Sequence, residues 1–367
     1  MPLIKKERFY GLTVKSVLRL PELDLLRGIA ILAVVLIHFT GPAIRQSPLT
    51  SYAYDFYLVL NRLMQFAVPC FIFISAFALT YRNKTRKGLP SWGQFYRQRV
   101  NRILIPYFLW NCFYTLYRLL GHEETSIFLK KIIYWFVLGK SFYHLYFLVL
   151  IIQLSLLLPL FLFFIPSRRE KGLLFFVLTW GIQVGIYWVN RVFVYAHFPY
   201  PATILLWYLP LVGLGLWLGW HIKDWQKLRL KVLWPLIPLV ILCGYLYVQQ
   251  SYPVFAGQKV NTFYYQMLWY IYVTGLSLLL LLFCRFLAYQ SSWLTRFLTA
   301  LGLSSFGIYL IHPLILEWWQ RWVHFGQPFY FHLAFWAGYI LVVGFSWWLT
   351  RLIERYPLVS NYLLGTK

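Results

Sequence analysis

The chain has 367 residues, of which 60% are hydrophobic and only 12% charged, and its formal net charge is +24. With a mean hydropathy of +0.62, this balance excludes a soluble globular fold and points to an all-α, polytopic membrane bundle. In a soluble domain such a charge would suggest nucleic acid. Here the basic residues read as anchors at the lipid bilayer, and no nucleic-acid partner is expected.

Ten apolar segments are long enough to span, at approximately 23–41, 56–80, 102–120, 143–165, 172–194, 202–220, 232–250, 263–286, 299–320 and 331–353. The whole chain, 1–367, reads as one integral-membrane domain, with a basic segment 1–22 before the first span and a tail 354–367 after the last. Placing the N-terminus in the cytoplasm puts 24 of the 34 Lys and Arg residues on that side. The bias predicts both termini cytoplasmic.

The first segment holds the most informative pair. Arg27 and His38 share the run LLRGIAILAVVLIHF. An Arg near the bilayer centre costs roughly 2.5–3.5 kcal/mol on insertion scales, so such residues face a bundle interior or a wet cavity and mark function. Their spacing along a helix is roughly 16 Å, about half the hydrocarbon thickness. Arg27 then lies toward the cytoplasm and His38 toward the outer half. An imidazole titrates near neutrality and suits a general base for a hydroxyl. Asp24 shares a face with Arg27 and can pair with it.

The next polar feature is YRQRVNRILIPY, residues 96–107, where Arg99 and Arg102 share a face at the cytoplasmic start of the third segment. Two guanidiniums so placed can grip phosphate, or simply anchor the helix. Segment 128–138, FLKKIIYWFVL, is too short to span and suits an interfacial helix.

Further along, titratable groups gather toward the outer side. His144 opens the fourth segment. His312 lies in SSFGIYLIHPLILE, followed by the kinking Pro313 and by Glu317, which has Arg321 one turn on. His144, His312, Glu317 and Asp24 are candidate substrate contacts. Arg62, Arg118, Arg191 and Arg321 fall near outer helix ends, where they either anchor to headgroups or line a mouth for an anionic or polyhydroxylated acceptor. Cys70, Cys112, Cys243 and Cys284 lie in apolar runs without metal-ligand spacing and read as small core residues, so no metal site is expected.

These elements together resemble the acyltransferase-3 superfamily of bacterial integral-membrane acyltransferases. The resemblance rests on LDLLRGIAILAVVLIHF with its Arg27-x10-His38 spacing, VPCFIFISAF, and Arg99-x-x-Arg102 followed by ILIPYFLWN. It continues through YHLYFLVLIIQ, LGLSSFGIYLIHPLIL and ERYPLVSNYLLG, and so covers essentially the whole chain in order. The chain resembles the short members without a secreted domain, including the membrane acyltransferase of poly-N-acetylglucosamine operons. It departs at Ser75-Ala76-Phe77, where many members have Ser-Gly-Phe.

The resemblance implies a multi-pass protein of the bacterial cytoplasmic membrane with no tightly bound cofactor. It implies transfer of an acetyl or succinyl group from cytoplasmic acyl-CoA (acetyl-CoA or succinyl-CoA) to a hydroxyl of a cell-envelope or exported carbohydrate, alongside polysaccharide-synthesis machinery. Arg27 and His38 inherit an essential role in activity, and Arg99 and Arg102 the handling of the donor. His38 would act as a base or carry the acyl group transiently. The alternative function is an exporter or flippase for a polysaccharide or lipid-linked sugar, which ten helices with intramembrane charges would also suit.

Overall fold

The computed structural model describes residues 20–85, 91–121, 129–222, 234–322 and 328–366. Most of the basic segment 1–22, the residues Arg86 and Lys87, and the basic loop 223–231 lie outside the described residues.

The first helix, α1 (Pro21–Gln46), starts where Pro21 suits the first turn and where Glu22 and Asp24 complement the positive pole of the helix. It is the most enclosed span, with 72% of its apolar window buried. It packs against α2 (Tyr52–Met64), α3 (Ala67–Thr85), and four later helices: α11 (Thr262–Ala288), α12 (Trp293–Leu303), α13 (Ser305–Trp322) and α14 (Pro328–Glu354). Arg27 and His38, both on this helix, line cavities within the bundle.

Close helix crossings set the positions of α1 and α3. Gly28 abuts the Leu298 carbonyl and Gly302 abuts the Asp24 carbonyl, so α1 and α12 touch backbone to backbone. Gly215 and Gly219 of α9 (Leu209–Trp220) lie against the Phe73 and Phe77 carbonyls of α3 in the same way. A methyl at Gly215 would come within 2.9 Å of the Ala76 Cβ. The extra methyl of Ala76 in Ser-Ala-Phe is thus accommodated by a glycine opposite.

Among the described residues, six helices are long and apolar enough to cross a membrane, or seven when α12 and α13 count as one span bent by 77° at Ser304. Ten spans were expected, and the difference has local causes. Segment 102–120 becomes a π-helical turn, Val100–Leu104, and then α5 (Ile105–Leu120) of 16 residues. Segment 202–220 becomes two 3-10 turns, Pro201–Thr203 and Leu205–Tyr208, followed by α9. Segment 232–250 becomes α10 (Leu236–Phe255), whose later turns carry Gln249, Gln250 and Ser251. Segment 56–80 spans as expected, but as α2 and α3 joined by a turn at Gln65 and Phe66.

The short segment near 128–138 forms α6 (Leu129–Leu138), with Trp135 buried and Leu129, Ile133 and Val137 exposed. Ten residues extend only about 15 Å, half the hydrocarbon core, which fits a helix lying at an interface. The remaining elements are α4 (Trp92–Arg99), α7 (Tyr146–Phe164), α8 (Gly172–Val189) and α15 (Pro357–Leu364). This last helix lies within the tail 354–367 and docks on the bundle. The Trp110 indole donates to the Leu363 carbonyl at 3.0 Å, and Gly365, at φ 59°, lies against the Arg102 backbone where a side chain would collide.

Candidate active site

Three cavities follow one another along α1 and α13. The first, of about 290 Å³, holds Arg27, Arg82, Arg99 and Arg102, and no carboxylate is among its lining residues. The π-helical turn at Val100–Leu104 carries Arg102 onward from Arg99 at the end of α4. The Arg99 guanidinium lies 5.4 Å from the Phe95 ring, and its Nε is buried with no hydrogen-bond partner among the described residues. Burial, and then the Arg102 and Arg82 cations, push the Arg99 pKa down to about 10, so the group stays charged at neutral pH. A concentration of cations without acids suits a polyanion.

Arg27 borders both this cavity and a smaller one of about 240 Å³, which it shares with Asp24 and Arg82. Asp24 pairs with Arg27 at 2.7 Å. The carboxylate is nearly buried while the guanidinium remains part-exposed, and both line the smaller cavity.

The second cavity, of about 300 Å³, is lined by His38, His144, Arg62, Gln65, Tyr146 and Tyr309, among others. His38 is half-buried there. Its ring lies 4.6 Å from Tyr143 and stacks on His312 at 5.4 Å. His312 is fully buried. Its Nδ1 lies 3.0 Å from the Ile308 carbonyl, which can only accept, so Nδ1 carries the proton. Nε2 is then a lone-pair acceptor, buried and without a partner among the described residues. His144 completes the cluster, edge-on to His312 at 5.9 Å.

Two prolines loosen the backbone at this level. Pro42 cannot donate to the His38 carbonyl, nor Pro313 to that of Tyr309. Asn61 braces the gap beside His38, donating to the Ile37 carbonyl at 3.0 Å and to Thr40 Oγ1 at 2.7 Å. The Asn61 amide oxygen accepts from Arg62 and Gln65. On the other side, the Tyr114 hydroxyl donates to the Leu310 carbonyl at 2.7 Å and holds α13 beside Pro313.

The third cavity is a vestibule of about 780 Å³, lined by Arg118, Lys140, Tyr143, Tyr200, Glu317 and Gln320 among others. It adjoins the histidine cavity through Tyr146 and Ala202, which line both. Glu317 accepts from Arg321 at 2.6 Å. Of the four arginines at predicted outer helix ends, Arg118 reaches this vestibule, Arg62 reaches the histidine cavity, and Arg191 binds Tyr187 and Thr262 away from both. Among the described residues, no cluster of His, Cys, Asp and Glu could hold a metal ion.

The structure therefore brings Arg27, Arg99 and Arg102 together and gathers His38, His144 and His312, while Glu317 stands apart in the vestibule. The model of the acyltransferase-3 family, described as an acyltransferase domain, matches residues 20–351. The chain belongs to the acyltransferase-3 family. It is a multi-pass membrane acyltransferase, and the match takes in every lining residue of the histidine cavity and the vestibule and all but Leu364 of the arginine cavity. No curated protein and no solved structure matched the chain.

Three residues that line or brace these cavities escape a reading of the sequence. Arg82 looks like one more basic helix end. Asn61 looks like an isolated amide. Tyr309 blends into an apolar run, although its position three residues before His312 is the signal that could have found it.

Proposed function

We propose that the protein is a membrane-bound O-acyltransferase that takes an acetyl or succinyl group from cytoplasmic acyl-CoA and delivers it to a hydroxyl of a cell-envelope or exported carbohydrate. The observation that carries this reading is that Arg27 and His38, on one helix, open into different cavities: a cationic one and a histidine-lined one. The arginine cavity faces the cytoplasm, in the bacterial cytoplasmic membrane, and both termini lie on that side. Arg99, Arg102 and Arg82 hold the donor phosphates, and Arg27, aligned by Asp24, points toward the acyl arm. The carbohydrate enters from the vestibule, where tyrosines offer stacking faces and Glu317 and Gln320 offer hydrogen-bond acceptors.

In the reaction, the acceptor hydroxyl oxygen attacks the thioester carbonyl while His38 takes its proton. The carbon–sulfur bond then breaks, an ester forms, and the thiolate of CoA leaves toward the arginine side and takes up a proton. The test is turnover by the purified full chain in lipid, supplied with acetyl-CoA or succinyl-CoA and an oligosaccharide acceptor. Ester formation that disappears in His38→Ala, with that variant still folded, supports the reading. Acyl-CoA consumption unchanged in His38→Ala rejects His38 as the base. Trapping of an acyl-histidine would replace direct attack by a two-step route. A chain that never consumes acyl-CoA but moves sugar across vesicles would be an exporter.

A further inference from the structure

The arginine and histidine cavities meet at Tyr309, which lines both. The residue is 4% exposed and held on several sides. Its hydroxyl donates to the His144 backbone carbonyl. Its ring lies 5.3 Å from Phe147 and 5.1 Å from the His144 ring. Phe147 in turn meets Phe71 at 5.8 Å, and both of these line the arginine cavity. An aromatic wall one side chain thick therefore separates a cationic compartment from the compartment that holds His38.

This placement has chemical consequences if a thioester enters on one side and a hydroxyl on the other. The reacting carbonyl must then lie at the wall, and the acyl chain must fit against it. An arginine cavity of about 290 Å³ is at the lower end of ligand pockets and leaves little room for a long chain beside a pantetheine arm. The same wall keeps water on the histidine side from the thioester until an acceptor arrives.

We propose that Tyr309 is the partition of the transfer path: its ring limits the acyl group to short chains and shields the thioester from water. The hydroxyl, bonded to the His144 carbonyl, fixes the ring in place. This inference rests on the acyltransferase reading for its enzymatic part, but the partition itself is testable without turnover.

Two measurements test it on the full chain in membrane vesicles. The first reads reagent passage in a Cys112→Ser background. A sulfonated, membrane-impermeant methanethiosulfonate is applied in the vesicle orientation that labels Ser75→Cys, a position lining the arginine cavity. A second reporter, Val68→Cys, lines the histidine cavity. Val68→Cys is expected to stay unlabelled from that side with Tyr309 present and to become labelled with Tyr309→Ala. Labelling of Val68→Cys that is the same with and without Tyr309 overturns the partition.

The second measurement reads products. With Tyr309→Ala, water attacks the thioester carbonyl, the carbon–sulfur bond breaks, and free acid and CoA thiol are released. The ratio of free acid to transferred acyl is expected to rise about tenfold, with a similar loss of preference for acetyl-CoA over hexanoyl-CoA, a chain longer than either proposed donor group, since pocket length discriminates by about 10–200-fold per methylene. Tyr309→Phe keeps the ring but loses the hydroxyl bond that fixes it, and is expected to shift the ratio and the preference less than Tyr309→Leu does. Tyr309→Leu, a milder truncation, covers the case in which the alanine variant does not fold, and is expected to fall between. Unchanged ratio and unchanged chain-length preference in a folded Tyr309→Leu or Tyr309→Ala overturn the role. Failure of the wild type to consume any acyl-CoA would instead sink the acyltransferase reading, and the labelling result would still decide the partition.

Discussion

His38 stacks on His312 with ring centroids 5.4 Å apart and planes 28° from parallel. The second ring is fixed by its Nδ1–H bond to the Ile308 carbonyl, so it supports the first from behind. In the proposed reaction His38 is the base, and His38→Ala is expected to lower kcat by about 10²–10⁴-fold, the usual contribution of a positioned acid–base group. His312→Gln is expected to lower kcat about tenfold with little change in acyl-CoA KM, because a misplaced base loses orientation rather than binding. Steady-state kinetics with the acceptor saturating separates the two effects. Equal losses in kcat and in donor affinity would contradict the supporting role of His312.

The arginine cavity predicts a stability effect of the donor. Because burial and neighbouring cations lower the Arg99 pKa to about 10, its charge works against the fold at every pH below that value and is relieved only as pH rises through it. A polyanion should relieve the same repulsion at neutral pH. CoA without an acyl group is expected to raise the melting temperature, and more so at low salt than at high salt. Arg99→Ala should match or exceed the unliganded wild type in stability while losing most of the CoA-induced shift. A full shift in Arg99→Ala would remove that residue from donor binding.

The crossing of α1 and α12 predicts sensitivity at Gly302, a residue that lines none of the three cavities. Gly302→Ala places a methyl into the Asp24 carbonyl and must move the turn that presents Arg27. Overpacking of this kind costs about 1–3 kcal/mol. The variant is expected to melt lower and to show a raised acyl-CoA KM, whereas Gly181→Ala, with open space around the added methyl, should change neither. Thermal melts of both variants in lipid check this.

Glu317 predicts an acceptor effect without a stability effect. Its pair with Arg321 is partly exposed, and such pairs contribute about 0–1 kcal/mol. Glu317→Gln is therefore expected to keep the melting temperature and acyl-CoA KM and to raise the acceptor KM several-fold. An unchanged acceptor KM would remove Glu317 from the vestibule's binding role.

Much of the site was legible before any coordinates, and the reason is energetic. Arg27 and His38 are costly in an apolar run, so their presence alone marked an interior path, and the Arg99-x-x-Arg102 spacing marked a cationic face. What was not legible depends on backbone meeting backbone. Nothing local in TALGLSS announces a 77° bend at Ser304, because the bend is settled by how α12 seats against Gly28. The residues 354–367 read as a tail because their docking partners, Trp110 and the Arg102 turn, lie more than two hundred positions away. Tyr309 looked like one more aromatic in a chain that is 22% aromatic, and only the cavities on its two sides set it apart.

The bend at Ser304 has one more consequence. It starts α13 afresh at Ser305, and Ser305 and Phe306 sit in the wall of the arginine cavity. From there the helix runs past Tyr309 and His312 to Glu317, alongside α1, which runs the same way from Arg27 to His38. Aligned peptide dipoles give each helix a partial positive pole at its N-terminal end. The pole of α13 points at this compartment, so its attraction for anions is written into the main chain as well as into guanidiniums. That share of the field cannot be titrated away or deleted by replacing a side chain, and a residual grip on phosphate should outlast the loss of any single arginine.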